Sequence, residues 1–336
     1  MRLKEIGEFG FIERIRRGCL VRPEGVVRGI GDDAAAFRTD GRRLSLVTTD
    51  LLVERVHFLR EAISGRDLGH KSLAVNLSDI AAMGGTAREA FVSIGIPESC
   101  DLDYLDDIFR GMQALAARHA VNVLGGDTTG SLTDLILNVA VYGEVPETEL
   151  LPRDGARPGD VIFATGCLGD SRAGLHLILD RTPADTPELE SLQAAHLRPE
   201  PHLPEGRLLA SIGGVRAAID VSDGLSSDLA HILEASKVGA RVRAAQLPIS
   251  DNLRHYCRRF AKSPVEYALS GGEDYVLLVT AAAERAADVA AAFAAVFGRP
   301  LHAIGEITDS GAMELVGPDA TATPIAPSGW DHFKGH

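Results

Sequence analysis

Five separated segments place carboxylates beside small or hydroxyl-bearing residues. They are Gly31-Asp32-Asp33, Thr48-Thr49-Asp50, Asn76 with Asp79, Gly126-Asp127-Thr128-Thr129 and Asp220-Val221-Ser222-Asp223. Aspartate oxygens supplemented by Thr and Ser hydroxyls are hard ligands suited to Mg²⁺, which keeps part of its water shell and bridges protein carboxylates to substrate phosphates. Taken singly, each segment has an ordinary reading. A Thr-Asp pair can cap a following helix, and two Asp residues in a Gly-containing turn can simply be solvated. Asp79 could be paired with Lys71 or an Arg. The recurrence is what points to a metal site. His57, between Val56 and Phe58, adds a polar side chain able to reach from an apolar wall toward a ligand.

These residues need elements to hold them. Leu44, Leu46 and Val47 predict a short strand that stops at Thr48-Thr49-Asp50, and Val121–Leu124 predicts another that stops at Gly125-Gly126-Asp127. Asp67–Met83 has helical periodicity and ends at Gly84-Gly85. Asn76 and Asp79 share a face of that helix, with Ser72 one turn earlier. Leu73, Ala74, Val75, Leu77, Ile80 and Met83 make the helix apolar enough to be buried, and a buried carboxylate is costly without a cation. A helix is expected over residues 1–20, strands over Glu89–Ile96 and Leu135–Val145, and an amphipathic helix over Asp101–Arg118, with Asp101 as its cap. Beyond a Pro-containing connection, 146–158, come strand, turn and helix units: strands Val161–Thr165, Val215–Val221, Val276–Thr280 and Leu301–Ile307, and an Ala-rich helix Ala282–Phe297. The turn Gly166–Ser171 could present amides to phosphate, although ordinary turn chemistry also explains it. Residues 180–204 read as an exposed excursion, and Asp228 could cap or contact the site at Asp220 and Asp223, although a surface acid is the plainer reading. The glycines before Glu273-Asp274 allow close approach of backbone to a ligand, and Trp330, the only tryptophan, could pack or stack on a heterocycle.

Composition narrows the function. The 34 basic and 47 acidic residues among 336 give a net charge of −13, which argues against nucleic acid or an anionic membrane as partner. Four scattered cysteines form no C-x-x-C pair, so no zinc site or disulfide framework is indicated. No signal peptide or long apolar run is evident, and a cytoplasmic location is expected. Gly65 through Ser72 has the wrong glycine spacing for a P-loop, and the protein-kinase signatures are missing. A nucleotide enzyme built from these parts must hold ATP largely through metal ions.

The segments GIGDDAA, TTDLLVERVHF, KSLAVNLSDIAAMG, GGDTT, GDVIFATGCLGDS, DVSDGLSSDL, ALSGGEDY and GWDHF, in this order over essentially the whole chain, resemble thiamine-monophosphate kinases. The Ala-rich run from Ala282 carries no motif. The resemblance implies an α/β (α+β) protein of the two-domain aminoimidazole ribonucleotide synthetase-like fold. Its N-terminal domain (1–146) binds metal and ATP and pairs its sheet across a homodimer; 147–336 is the C-terminal α/β domain. The ATP site then lies between domains and subunits. The implied reaction is ATP-dependent phosphorylation of thiamine monophosphate to thiamine diphosphate. Carried over motif by motif, Asp33, Thr48, Thr49, Asp50, Asp79, Asp127, Asp220 and Asp223 would bind several Mg²⁺ ions. Gly126, Asp127, Arg153 and Ser222 would contact ATP, and His57, Glu273 and Trp330 would hold thiamine monophosphate. A phosphate acceptor is already ionised, so positioning and charge neutralisation replace a general base. Two alternatives stay open: another ATP-dependent enzyme of the same superfamily, or a non-catalytic protein that binds metal or nucleotide. Among the former, a selenophosphate synthetase should carry a reactive Cys in an N-terminal Gly-rich loop, for which Cys19 beside Gly18 is a poor substitute.

Overall fold

The computed structural model describes residues 3–16, 19–39 and 41–329. Helix α1 (Leu3–Arg16) lies on the surface and breaks at Gly7, where φ is 66°. Strands β1 (Val26–Arg28), β2 (Ala35–Arg38) and β3 (Arg43–Val53) follow, then α2 (Gly65–Ala82), β4 (Thr86–Pro97), α3 (Leu102–Arg118), β5 (Asn122–Ser131) and β6 (Ile136–Pro146). These six strands form one sheet, β1-β2-β3-β6-β4-β5, antiparallel except between β4 and β5. Burial alternates strictly along β6, with Leu137, Val139, Val141 and Val145 on the covered face. That covered face belongs to α2, which packs on β3, β6 and α3.

The second half contributes β7 (Val161–Ala164), α4 (Asp170–Leu179), α5 (Pro187–Leu197), α6 (Leu203–Ser211), β8 (Val215–Asp220), α7 (Leu225–Ser236) and β9 (Gly239–Arg243). It continues with α8 (Asp251–Phe260), α9 (Pro264–Ser270), β10 (Leu277–Ala281), α10 (Ala286–Phe297), β11 (His302–Thr308), β12 (Met313–Val316) and β13 (Ala322–Pro324). Its seven-stranded sheet runs β13-β12-β9-β11-β7-β10-β8, with only the β12–β9 pair parallel. No helix among the described residues is long and apolar enough to cross a membrane.

Helix α2 joins the two halves. Ser64 caps it by accepting from Asp67 N at 3.1 Å, and Gly84, at φ 70°, ends it. Glycines let its neighbours approach its backbone. A Cβ on Gly69 would lie 1.8 Å from Ile108 O of α3, and one on Gly206 of α6 would lie 2.2 Å from Ala81 O. The apolar residues of α2 belong to one buried cluster that also takes in Phe163, Ala218 and Leu277 from the second sheet and Phe293 from α10. Each fully buried Leu or Phe in it contributes about 1.5–3 kcal/mol relative to exposure. The helix is therefore held from both sides and is a rigid base for polar groups.

Three expectations are corrected. Residues 180–204 are not an exposed excursion: they include α5, whose Leu189, Leu192 and His196 are buried against α4 and α8. Thr48-Thr49-Asp50 and Gly126-Asp127 do not end their strands but lie within the 11-residue β3 and the 10-residue β5. Pairing with β6 and β4 carries both strands past the polar residues, so alternation decides which face each side chain takes.

Candidate active site

The segments that converge do so around α2. Thr48 and Asp50 face α2 from β3, whereas Thr49 and Leu51 face the other way. Thr48 Oγ1 donates to Asp79 Oδ2, and Asp50 N donates to Asn76 Oδ1 at 3.1 Å. From the residue just before Asp79, Ser78 Oγ donates to Asp220 Oδ2 at 2.6 Å, where β8 ends against the helix. Asp33 comes in from the turn before β2 and is held by Arg153, whose NH2 donates to Oδ1 at 2.5 Å and whose Nε donates to Oδ2 at 3.3 Å. Asp33, Asp79 and Asp220 each offer an oxygen, and these oxygens all lie within 4.8 Å of one another. Lys71 is not the counter-ion of Asp79; it pairs elsewhere, as described below.

Such crowding is visible in the protonation behaviour. Burial, followed by Asp50, Asp220 and Asp33, pushes the Asp79 carboxyl well up. Burial and then Asp33 push Asp220 to about 8, against the Ser78 hydrogen bond. Burial raises Asp50 to about 6, and burial with Asp33 raises Asp32 to about 7 despite Arg153. A divalent cation answers that excess of negative charge. An all-oxygen set of carboxylates with a nearby Thr hydroxyl fits Mg²⁺ better than softer metals. A second group, Asp223, Asp228 and His231, also has ligand atoms within 4.8 Å of one another. Asp228 there already accepts from Asp223 N at 3.1 Å and Gly224 N at 2.9 Å. It is 2% exposed, so it is a buried support for the Ser222–Gly224 turn and not a surface acid.

A pH prediction follows. Raised carboxyl values mean that the folded, metal-free protein binds protons the unfolded chain has released, so stability falls as pH rises through that window. For Asp50 and Asp220 the window runs from the ordinary value of 3.8 to about 6 and about 8. The melting temperature without divalent ions should drop between about pH 4 and pH 8. Mg²⁺ should raise it most at the alkaline end, where its ligands are ionised. Melting curves with EDTA or Mg²⁺ across that range are the check, and a flat or rising metal-free curve contradicts the cluster.

Beside the carboxylates lies a second polar group. Gly271–Tyr275 crosses toward α2 with Glu273 and Tyr275 at φ 61° and 51°, held by Glu273 N donating to Ser222 O at 2.7 Å and Tyr275 N to Val221 O at 2.8 Å. The two acids of this segment point apart. Glu273 reaches Lys71 of α2 at 2.8 Å and His196 of α5 at 3.1 Å. Asp274 accepts from Gly169 N at 2.7 Å and Ser171 N at 3.3 Å, so the α4 amides that could have faced phosphate are taken. His57 accepts at Nδ1 from Val53 N at 3.0 Å and lies in the electrostatic reach of Glu273. A cleft of about 880 Å³ opens on the far side of Asp274, among 166–171 and 195–205, and none of the convergent carboxylates lines it.

Other expected site residues are not brought together within one chain. Thr49 accepts from Asn138 Nδ2 at 2.8 Å on the outward face of the first sheet. Asp127 is exposed on edge strand β5, in register with Ser93, Asn138 and Leu51 across that same face. Gly126 has φ 151°, and a Cβ there would lie 1.7 Å from Val92 O, so the strand pairing itself requires glycine. Trp330 lies outside the described residues.

Residues 31–145 match the family described as AIR synthase related protein, N-terminal domain, and 157–317 match its C-terminal domain. The thiamine-monophosphate kinase of Aquifex aeolicus is 36% identical over 99% of this chain and 100% of its own length. The chain belongs to the thiamine-monophosphate kinase family. The Escherichia coli K12 thiamine-monophosphate kinase is 37% identical, covering 97% of this chain and 98% of its own. The solved complex of AaThiL with AMPPCP and TMP superimposes with a TM-score of 0.87, at 34% identity and 99% coverage of each chain. Thiamine-monophosphate kinases share the two-sheet α/β architecture seen here, as the expected fold class requires.

Two residues of this site, Ser78 and His196, escaped the sequence reading, while Lys71 was weighed there only as a partner of Asp79 and Asp228 was read first as a surface acid. Lys71, Ser78 and Asp228 sit in the recognised motifs, and their spacing from the Asp residues was the only available signal. His196 carried none, because nothing in the sequence brings α5 to Glu273.

Proposed function

We propose that this protein transfers the γ-phosphoryl group of ATP to the phosphate of thiamine monophosphate, giving ADP and thiamine diphosphate. The observation that carries the reading is the convergence of Asp33, Asp79 and Asp220 within 4.8 Å, with Thr48 and Asp50 beside them. The complex of AaThiL with AMPPCP and TMP supports the same pair of substrates. Asp33, Asp50, Asp79 and Asp220 would hold Mg²⁺, with Asp223 joining from the α7 turn. When bound, Mg²⁺ supplies charge neutralisation that lets two polyanions meet. Arg153, already fixed by Asp33, offers a guanidinium to phosphate oxygens. No side chain need remove a proton from an ionised phosphate, so the chain's task is orientation. Ser222 at the α7 turn contacts nucleotide in this reading, and His57 and Glu273 hold the thiamine end.

We further propose a homodimer in which the outward face of the first sheet meets its copy, with 1–146 and 147–336 as the two domains. Val47, Leu51, Phe91 and Leu124 are 37%, 50%, 44% and 60% exposed on these strands, an apolar patch on a protein otherwise rich in charge. Thr49, Gly126 and Asp127 would then serve the partner's site, and the enzyme works in the cytoplasm. The deciding experiment is incubation with thiamine monophosphate, ATP and Mg²⁺ and identification of the product. Thiamine diphosphate with equimolar ADP is the expected result; nucleotide binding without product favours a non-catalytic role.

A further inference from the structure

We propose that Lys71 is a positioning residue for the acceptor substrate: from α2 of one half it locks the Glu273 carboxylate of the other in the orientation that receives the thiamine end. This rests on the reading above that Glu273 contacts thiamine monophosphate.

Three observations carry it. Lys71 is 1% exposed, and its Nζ lies 2.8 Å from Glu273 Oε1 and 3.0 Å from Oε2. A buried ammonium is expensive unless paired, so this contact holds the two halves of the site together. Glu273 is held at φ 61°, a region non-glycine residues rarely adopt, although glycines stand immediately before it. Such a conformation persists only where surrounding contacts over-determine it. Finally, Lys71 and Asp79 stand eight residues apart on one rigid helix, about 12 Å along its axis. A single element thus spaces the Glu273 pocket from the carboxylates that attend the phosphates.

The groups facing Glu273 are Lys71 from α2, His196 from α5 and His57 from the turn after β3, with Asp274 and Tyr275 in its own segment. Burial would push the Glu273 carboxyl up, but Lys71 and then His196 outweigh it and hold it below its ordinary value. Burial, then Lys71, drives His196 down to about 4, so it is neutral there, with Nδ1 3.1 Å from Glu273 Oε2 and 3.1 Å from Ser171 Oγ. Lys71, at 2.8 Å, is therefore the cation that Glu273 is paired with.

The test is Lys71→Met, a side chain of similar length without the charge, measured in the full-length enzyme. KM for thiamine monophosphate should rise about tenfold to a hundredfold, with kcat and KM for ATP changing less than about threefold. The acid limb of kcat/KM for thiamine monophosphate should move to higher pH, because Glu273 loses its counter-ion. In Glu273→Gln, adding Lys71→Met should cause no further rise in KM, since the partner is already gone. That double variant leaves no uncompensated buried charge, so it carries the test if Lys71→Met alone does not fold. An unchanged KM, a loss confined to kcat, or full additivity in the double variant overturns the proposal. Wild-type turnover separates the two failures. If the wild type makes no thiamine diphosphate, the reading of function falls; if it does and Lys71→Met binds acceptor normally, only this inference falls.

Discussion

Asp79→Asn should abolish most turnover while making the metal-free protein more stable. The activity loss is expected to reach about a thousandfold in kcat, roughly 4 kcal/mol of transition-state stabilisation. Asn keeps an oxygen to accept from Thr48 Oγ1, so the link between β3 and α2 survives. What disappears is the ionisable oxygen among Asp33, Asp50 and Asp220. Because burial and those three neighbours push Asp79 well up, ionising it costs the fold energy that Asn does not spend. The melting temperature in EDTA should rise by about 1–2 °C for each kcal/mol recovered, and the gain from added Mg²⁺ should shrink. A residue that merely stabilised the fold would show the reverse. Near-normal turnover at saturating Mg²⁺, or a lower metal-free melting temperature, contradicts the assignment.

The second large effect is expected from pairing two inactive chains. Asp127→Asn and Asp79→Asn should each be nearly inactive alone. Asp127 lies on the outward face of the first sheet and Asp79 behind the covered one, so a site that uses both draws them from different subunits. Mixed and refolded together, the variants should recover about a quarter of wild-type activity if the proposed homodimer holds, because half of such dimers are mixed and each mixed dimer has one intact site. Recovery absent despite demonstrated subunit exchange would mean that each chain completes its own site. Phe91→Asp offers a companion check: a charge in the exposed apolar patch should give monomers with little activity, visible by sedimentation.

Much of the chemistry was legible before any coordinates. Asp50 and Asp220 stood out as carboxylates beside hydroxyls next to apolar runs and Asp79 because burying it demands a cation, whereas the family resemblance picked Asp33 from the Asp32/Asp33 pair. The helix around Asp79 was equally plain, since its apolar periodicity and Gly84-Gly85 stop are local properties. Pairing is not local. Nothing within Leu44–Asp50 says that β6 will extend the strand to Val53, and only that extension turns Thr49 away from Thr48 and Asp50. The same holds for Asp127, whose distance from the other carboxylates follows from the strand order and not from its own motif. Asp228 and residues 180–204 read as exposed because polar composition suggests solvent, whereas a buried Asp can be satisfied by two backbone amides.

The residues themselves settled which atoms are available: hard oxygen ligands, a guanidinium at Arg153, and an acidic composition that needs cations to meet phosphate. Tertiary structure alone decided which of them act together. It gave Lys71 to Glu273 and not to Asp79, set His196 beside that pair and turned Asp127 outward. The physical reason is range. Side-chain chemistry and helix periodicity are written within a few residues, but the partner of a buried charge is whichever group the packing of α2 between two sheets brings within about 3 Å.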